Sequence, residues 1–124
     1  MKLLLTIGAG SFIGGILRYA LSHFINNKFL STFPFGTFTV NITGCFIIGL
    51  AFAMIEKNDI STEMRLFLTT GLLGGFTTFS AFSIESINLF KEGHTAYAFG
   101  YIASSVIIGL LATYIGTLAV KQFS

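Results

Sequence analysis

The sequence predicts an all-α integral membrane protein with four transmembrane helices, the third of them broken mid-membrane. Three observations predict it. Of 124 residues, 53% are hydrophobic and only 10% charged, and mean hydropathy is +0.83; soluble domains carry about 25% charged residues. Apolar runs at approximately 3–25, 36–55, 66–90 and 96–120 are each long enough to cross a bilayer core. The third run contains Gly71-Leu72-Leu73-Gly74-Gly75-Phe76-Thr77-Thr78-Phe79-Ser80-Ala81-Phe82-Ser83, with three glycines and four hydroxyls. Glycine weakens a helix by about 1 kcal/mol relative to alanine. Irregular or polar backbone at membrane depth is tolerated only where protein or water surrounds it. The stretch therefore reads as a helix break and as the functional centre of a single four-helix membrane domain, 1–124.

Composition excludes several classes. A net charge of +2, scattered along the chain, gives no footprint for nucleic acid. One cysteine, Cys45, permits neither a disulfide framework nor a cysteine-rich metal site. No serine, cysteine or carboxylate has a histidine or metal-ligand partner at a recognisable spacing, so the chain is not read as an enzyme. No long polar segment announces an attached soluble domain.

The first run carries Lys2 and a leucine triplet, as signal peptides do, but it continues past any plausible cleavage site and an equally membranous chain follows. Gly10 and Gly14 share one helix face, where another backbone can approach closely. Arg18 is costly in hydrocarbon, so it faces protein or water, or snorkels to the headgroups. A loop, 26–34, holds Lys28 and the only proline.

The second run spans about 30 Å without a charge. Within it, Asn41 offers two donors and an acceptor that all need partners. Two roles suit it: hydrogen-bonding an anion or polar solute, or interhelical glue. A charged link, 56–65, leads into the third run, where Glu85 is either a pathway carboxylate or a residue reaching the interface.

The last run has no charge, and Tyr101, Ser105, Gly109 and Thr113 fall on one face. That stripe reads as contact with something hydrated, or as hydroxyls bonded back to their own helix.

Four spans put both termini on one side of the membrane. Lys2, Lys57, Arg65 and Lys121 lie on that side, and Lys28 and Lys91 on the other. Such a weak bias permits insertion in both orientations. Four short helices rarely enclose a pathway alone, so two oppositely inserted copies would supply the halves of an inverted repeat. The intramembrane charges are too few for a proton relay. Neutral donors remain: Asn41, Thr39, Thr77, Thr78, Ser80, Ser83, Ser105 and Thr113. Phe79 and Phe82, three apart, add ring edges with positive character. A site built this way suits a small anion held weakly. The fifteen phenylalanines also allow a plain packing stripe. The glycines at 71, 74 and 75 can bare carbonyls at a break, where a monovalent cation would bind.

Three motifs carry a resemblance over essentially the whole chain: Gly14-Gly15-Ile16-Leu17-Arg18-Tyr19; Gly36-Thr37-Phe38-Thr39-Val40-Asn41 followed by Gly44; and the 71–83 stretch. The sequence resembles the Fluc (CrcB) fluoride channels. The resemblance implies antiparallel, dual-topology homodimers in the bacterial cytoplasmic (inner) membrane, with two pathways that expel fluoride passively. By similarity, Asn41 matches the pore asparagine, and Phe79 and Phe82 the paired pore phenylalanines. Gly74 and Thr77 match the positions whose carbonyls hold a structural sodium ion. Ser80 is placed on the fluoride pathway. Tyr101, Ser105 and Thr113 fall on the fourth-helix polar track, and Arg18 matches the first-helix arginine. Ala81 and Gly109 depart from the family, each lacking a hydroxyl that relatives often have.

Two other readings compete. A small four-helix multidrug or cation exporter should carry a carboxylate in its first helix, and none is present. A non-transporting assembly subunit would show no flux when purified.

Overall fold

The computed structural model describes residues 1–122. Helix α1 is Lys2–Lys28 and α2 is Phe35–Lys57. The third span divides into α3 (residues 62–76) and α4 (Phe79–Lys91), and α5 is Thr95–Gln122. Among the described residues, four helical stretches are long and apolar enough to cross a membrane: Lys2–Lys28, Phe35–Lys57, Thr62–Lys91 and Thr95–Lys121.

The helices outrun the apolar stretches because polar groups finish their ends. Asn26 Oδ1, from the side chain of an α1 residue, accepts from the Gly36 amide at 3.0 Å, capping α2 after Pro34. The second half of the charged link is already helical. Ser61 Oγ accepts from the Met64 amide at 3.2 Å, and Glu63 sits in that first turn, where a carboxylate is favoured. Lys2 reaches Glu63 at 3.1 Å, but so exposed a pair adds little. At the far end of α4, Gly93 adopts φ +83°. There the His94 amide donates to the Leu89 carbonyl and the Gly93 amide to Phe90, closing the helix with the left-handed turn glycine favours.

α3 is not uniform. Thr62–Leu66 is α-helical, Phe67–Leu73 is a wider π-helical stretch, and Gly74–Phe76 returns to α geometry. The Gly74 amide points back to the Thr69 and Gly71 carbonyls. Thr77 (φ −91°, ψ 156°) and Thr78 (φ −148°, ψ 112°) are then extended, and α4 starts at Phe79.

Two pairs of helices approach backbone to backbone, as the small-residue spacing of α1 anticipates. In the α1–α3 pair, a methyl on Gly14 would strike the Leu72 carbonyl, and one on Gly10 the Phe67 carbonyl. In the α2–α5 pair, methyls on Gly49 and Gly116 would strike the carbonyls of Thr113 and Phe46. Between α2, α4 and α5, Leu89, Ala98 and Tyr101 form a buried cluster with Phe33, Phe38 and Phe82 packed on it. Large apolar side chains such as Phe12, Phe99 and Leu110 stay exposed, as on a surface that meets lipid or another chain.

Candidate functional site

The interruption between α3 and α4 is where the unusual side chains converge. A continuous helix would pair the Gly74 carbonyl with the Thr78 amide. Here that amide donates to Asn41 Oδ1 at 2.9 Å, and Asn41 Nδ2 donates to the Thr78 carbonyl at 3.1 Å. Asn41 thus satisfies both backbone groups of one extended residue, as a paired strand would. Thr78 Oγ1 in turn accepts from the Ala81 amide at 3.1 Å and starts α4. The carbonyl of Gly74 is left without its helical donor.

A cavity of about 390 Å3 opens beside this break. Asn41, Gly44, Cys45 and Ile48 of α2 form one wall. Thr69, Leu73, Gly74 and the two extended threonines form another, with Phe79, Phe82, Ser105 and Val106 completing it. Its surface is mostly apolar, with a few polar groups at the break. Phe79 is 76% exposed, and its ring stands 5.5 Å from that of Phe82. Phe82 lies 5.0 Å from the Tyr101 ring. The aromatic series therefore runs from an open rim to a buried centre.

Six of the residues given a role by the family resemblance line this cavity, Asn41, Gly74, Thr77, Phe79, Phe82 and Ser105, and Thr78 from the list of neutral donors joins them. Ser80 is exposed, with its hydroxyl 3.2 Å from that of Thr78. Tyr101 is fully buried, and its hydroxyl donates toward Glu85 Oε2 at 3.4 Å. Thr113 lies away from the cavity. Its hydroxyl is shared between the carbonyls of Cys45 (2.9 Å) and Gly109 (3.2 Å), so it joins α5 to α2. A side-chain carbon at Gly109 would lie 3.4 Å from Cys45 Sγ, which places that position against α2. Arg18 is on the α1 side of the break, half-buried, with Nε–H donating to the Gly75 carbonyl at 3.1 Å. It turns to protein instead of snorkelling.

Glu85 is the residue that sequence reading undervalued. Its carboxylate turns to protein: Oε1 accepts from the Thr37 hydroxyl at 2.6 Å and Oε2 from Tyr101. A signal was present, since Glu85 is three residues from Phe82 and Thr37 is four from Asn41, so each shares a face with a cavity residue. Among the described residues, no three of His, Cys, Asp and Glu gather as metal ligands.

The family described as CrcB-like protein, Camphor Resistance (CrcB), matches residues 5–117. Curated relatives are similar over nearly their full lengths. A protein of Flavobacterium psychrophilum named fluoride-specific ion channel FluC is 46% identical over 98% of this chain and 99% of its own. Proteins of the same name from Phocaeicola vulgatus (46%, covering 94% and 96%) and Rhizobium meliloti (44%, covering 94% of each) are also similar.

Proposed function

The chain belongs to the CrcB-like family, and from that premise we propose that it is a fluoride-selective channel that lets fluoride leave the cytoplasm passively and so lowers its toxicity. The observation that carries the reading is the break itself. Asn41 sits at the one place where the third span stops being helical, beside a cavity rimmed by Phe79 and Phe82. Neutral amide and hydroxyl donors, together with ring edges, replace part of a small anion's water shell without an ionised side chain. Binding of that strength allows the ion to leave as well as enter.

The working unit in this reading is an antiparallel, dual-topology homodimer in the bacterial inner membrane. Phe79 leaves most of its ring uncovered in one chain, which supports a second copy completing the pathway. A structural sodium ion would be held by the carbonyls of Gly74 and Thr77. The residues fit that role, because Asn41 has drawn away the amide that the Gly74 carbonyl would otherwise bind, and unwound carbonyls suit a monovalent cation.

The test is efflux from liposomes containing only this polypeptide, read with fluoride and chloride electrodes side by side. Fluoride release with little chloride release is expected. Equal passage of the two ions, or no passage, would end the reading.

A further inference from the structure

Arg18 is an ionisable residue inside an apolar span that the cavity does not use. It is delivered to α3 by a close backbone contact. Gly14, one turn earlier on the same face of α1, packs against the Leu72 carbonyl, and a methyl on Gly75 would lie 2.7 Å from the Ser11 carbonyl. Two α1 side chains then reach α3 carbonyls four residues apart: Ser11 Oγ to Gly71 at 3.4 Å, and Arg18 Nε to Gly75 at 3.1 Å.

The Gly75 carbonyl is the one that Phe79's amide would bind if the third span ran on as a helix. The Gly74 carbonyl is the one that Thr78's amide would bind, and Asn41 has taken that amide. Arg18 and Asn41 thus act on consecutive rungs of the same ladder, one from α1 and the other from α2. One occupies an acceptor and the other a donor.

We propose that Arg18 is a positioning residue: by holding the Gly75 carbonyl through its Nε–H, it keeps α3 ended at Phe76 and so fixes where Phe79 begins α4. It acts through the backbone of the break, and the donor atom matters more than the charge. The inference uses the channel reading only for its flux measurement.

Two substitutions separate donor from charge. Arg18→Gln places an uncharged N–H donor at the same distance along the side chain as Nε. Arg18→Met keeps a similar stem with no donor. Gly75–Phe76 is the only Gly-Phe pair in the sequence, so carbonyl-13C glycine with 15N phenylalanine reports the Gly75 carbonyl alone. We expect its frequency to stay near wild type in the Gln variant and to move upfield in the Met variant. Fluoride efflux should stay within about threefold of wild type for Gln and fall about tenfold or more for Met, the scale of one lost charge-assisted hydrogen bond.

An unmoved carbonyl signal in the Met variant overturns the proposal. So does equal loss of flux in Gln and Met while Arg18→Lys conducts normally, since that pattern assigns the effect to charge. If the Met variant does not fold, the Gln variant decides alone: a wild-type carbonyl frequency supports the proposal and a displaced one overturns it. A wild-type protein that passed no fluoride would refute the channel reading, while the carbonyl signal would still judge Arg18.

Discussion

The Thr37 hydroxyl donates a hydrogen bond to Glu85 Oε1 across 2.6 Å, tying α2 to α4 one helical turn from Asn41. Thr37 is itself buried, so the carboxylate is what keeps that hydroxyl satisfied. Glu85→Ala removes the acceptor that both the Thr37 and the Tyr101 hydroxyls use. A loss of about 1–3 kcal/mol is expected, read as a lower midpoint in thermal unfolding in detergent. Glu85→Gln, which retains an acceptor oxygen of similar reach, should recover much of it.

Asn41 makes a donor and an acceptor bond to the same residue, so no single-function side chain replaces it. Asn41→Leu removes both. Asn41→Asp keeps the acceptor for the Thr78 amide but sets a carboxylate against the Thr78 carbonyl. Both variants should lose about tenfold or more of fluoride efflux, with the Asp variant no better than Leu. Near-normal efflux from Asn41→Asp would show that the Thr78 amide bond suffices.

The two phenylalanines should respond differently. Phe79 is mostly exposed in one chain, whereas Phe82 packs against Tyr101. Phe82→Ala should cost about 1–3 kcal/mol of stability, below the range for a fully buried phenylalanine. Phe79→Ala should cost less and act mainly on efflux. Parallel unfolding and flux measurements on both variants test this, and a larger stability loss at Phe79 would contradict it.

Glycine positions in the helices should divide by what surrounds them. Gly14→Ala drives a methyl into the Leu72 carbonyl, a backbone atom that cannot swing aside. A loss of about 1–3 kcal/mol is expected. Gly100 has nothing within 4 Å of the added carbon, so Gly100→Ala should be neutral or stabilise by up to about 1 kcal/mol through helix propensity. Unfolding midpoints of the pair make the comparison.

Much of this was legible from residue chemistry alone. Four apolar runs gave the spans, and the α1 glycines gave a close helix contact. An asparagine in an uncharged run announced itself as needing partners, but its partner is Thr78, thirty-seven residues on, and no local pattern names it. Glu85 was harder to read, because position along a span does not say which way a carboxylate turns. The α5 stripe shows the limit of periodicity. Tyr101, Ser105 and Thr113 recur at multiples of four residues, yet one hydroxyl meets a carboxylate, one borders the cavity and one bonds backbone carbonyls. The wide turns at Phe67–Leu73 left no mark on the hydrophobic pattern, since they alter which carbonyl an amide finds without altering which residues are apolar.

Severing a rod at its midpoint leaves two new tips of opposite polarity. At Thr77–Thr78, the electron-rich tip of α3 and the electron-poor tip of α4 face the same small space, each equivalent to roughly half an elementary charge or less. One polypeptide span can in this way offer a resting place to a cation and a welcome to an anion. Both fields would come from backbone dipoles, so neither needs an ionised side chain at Thr77–Thr78 itself.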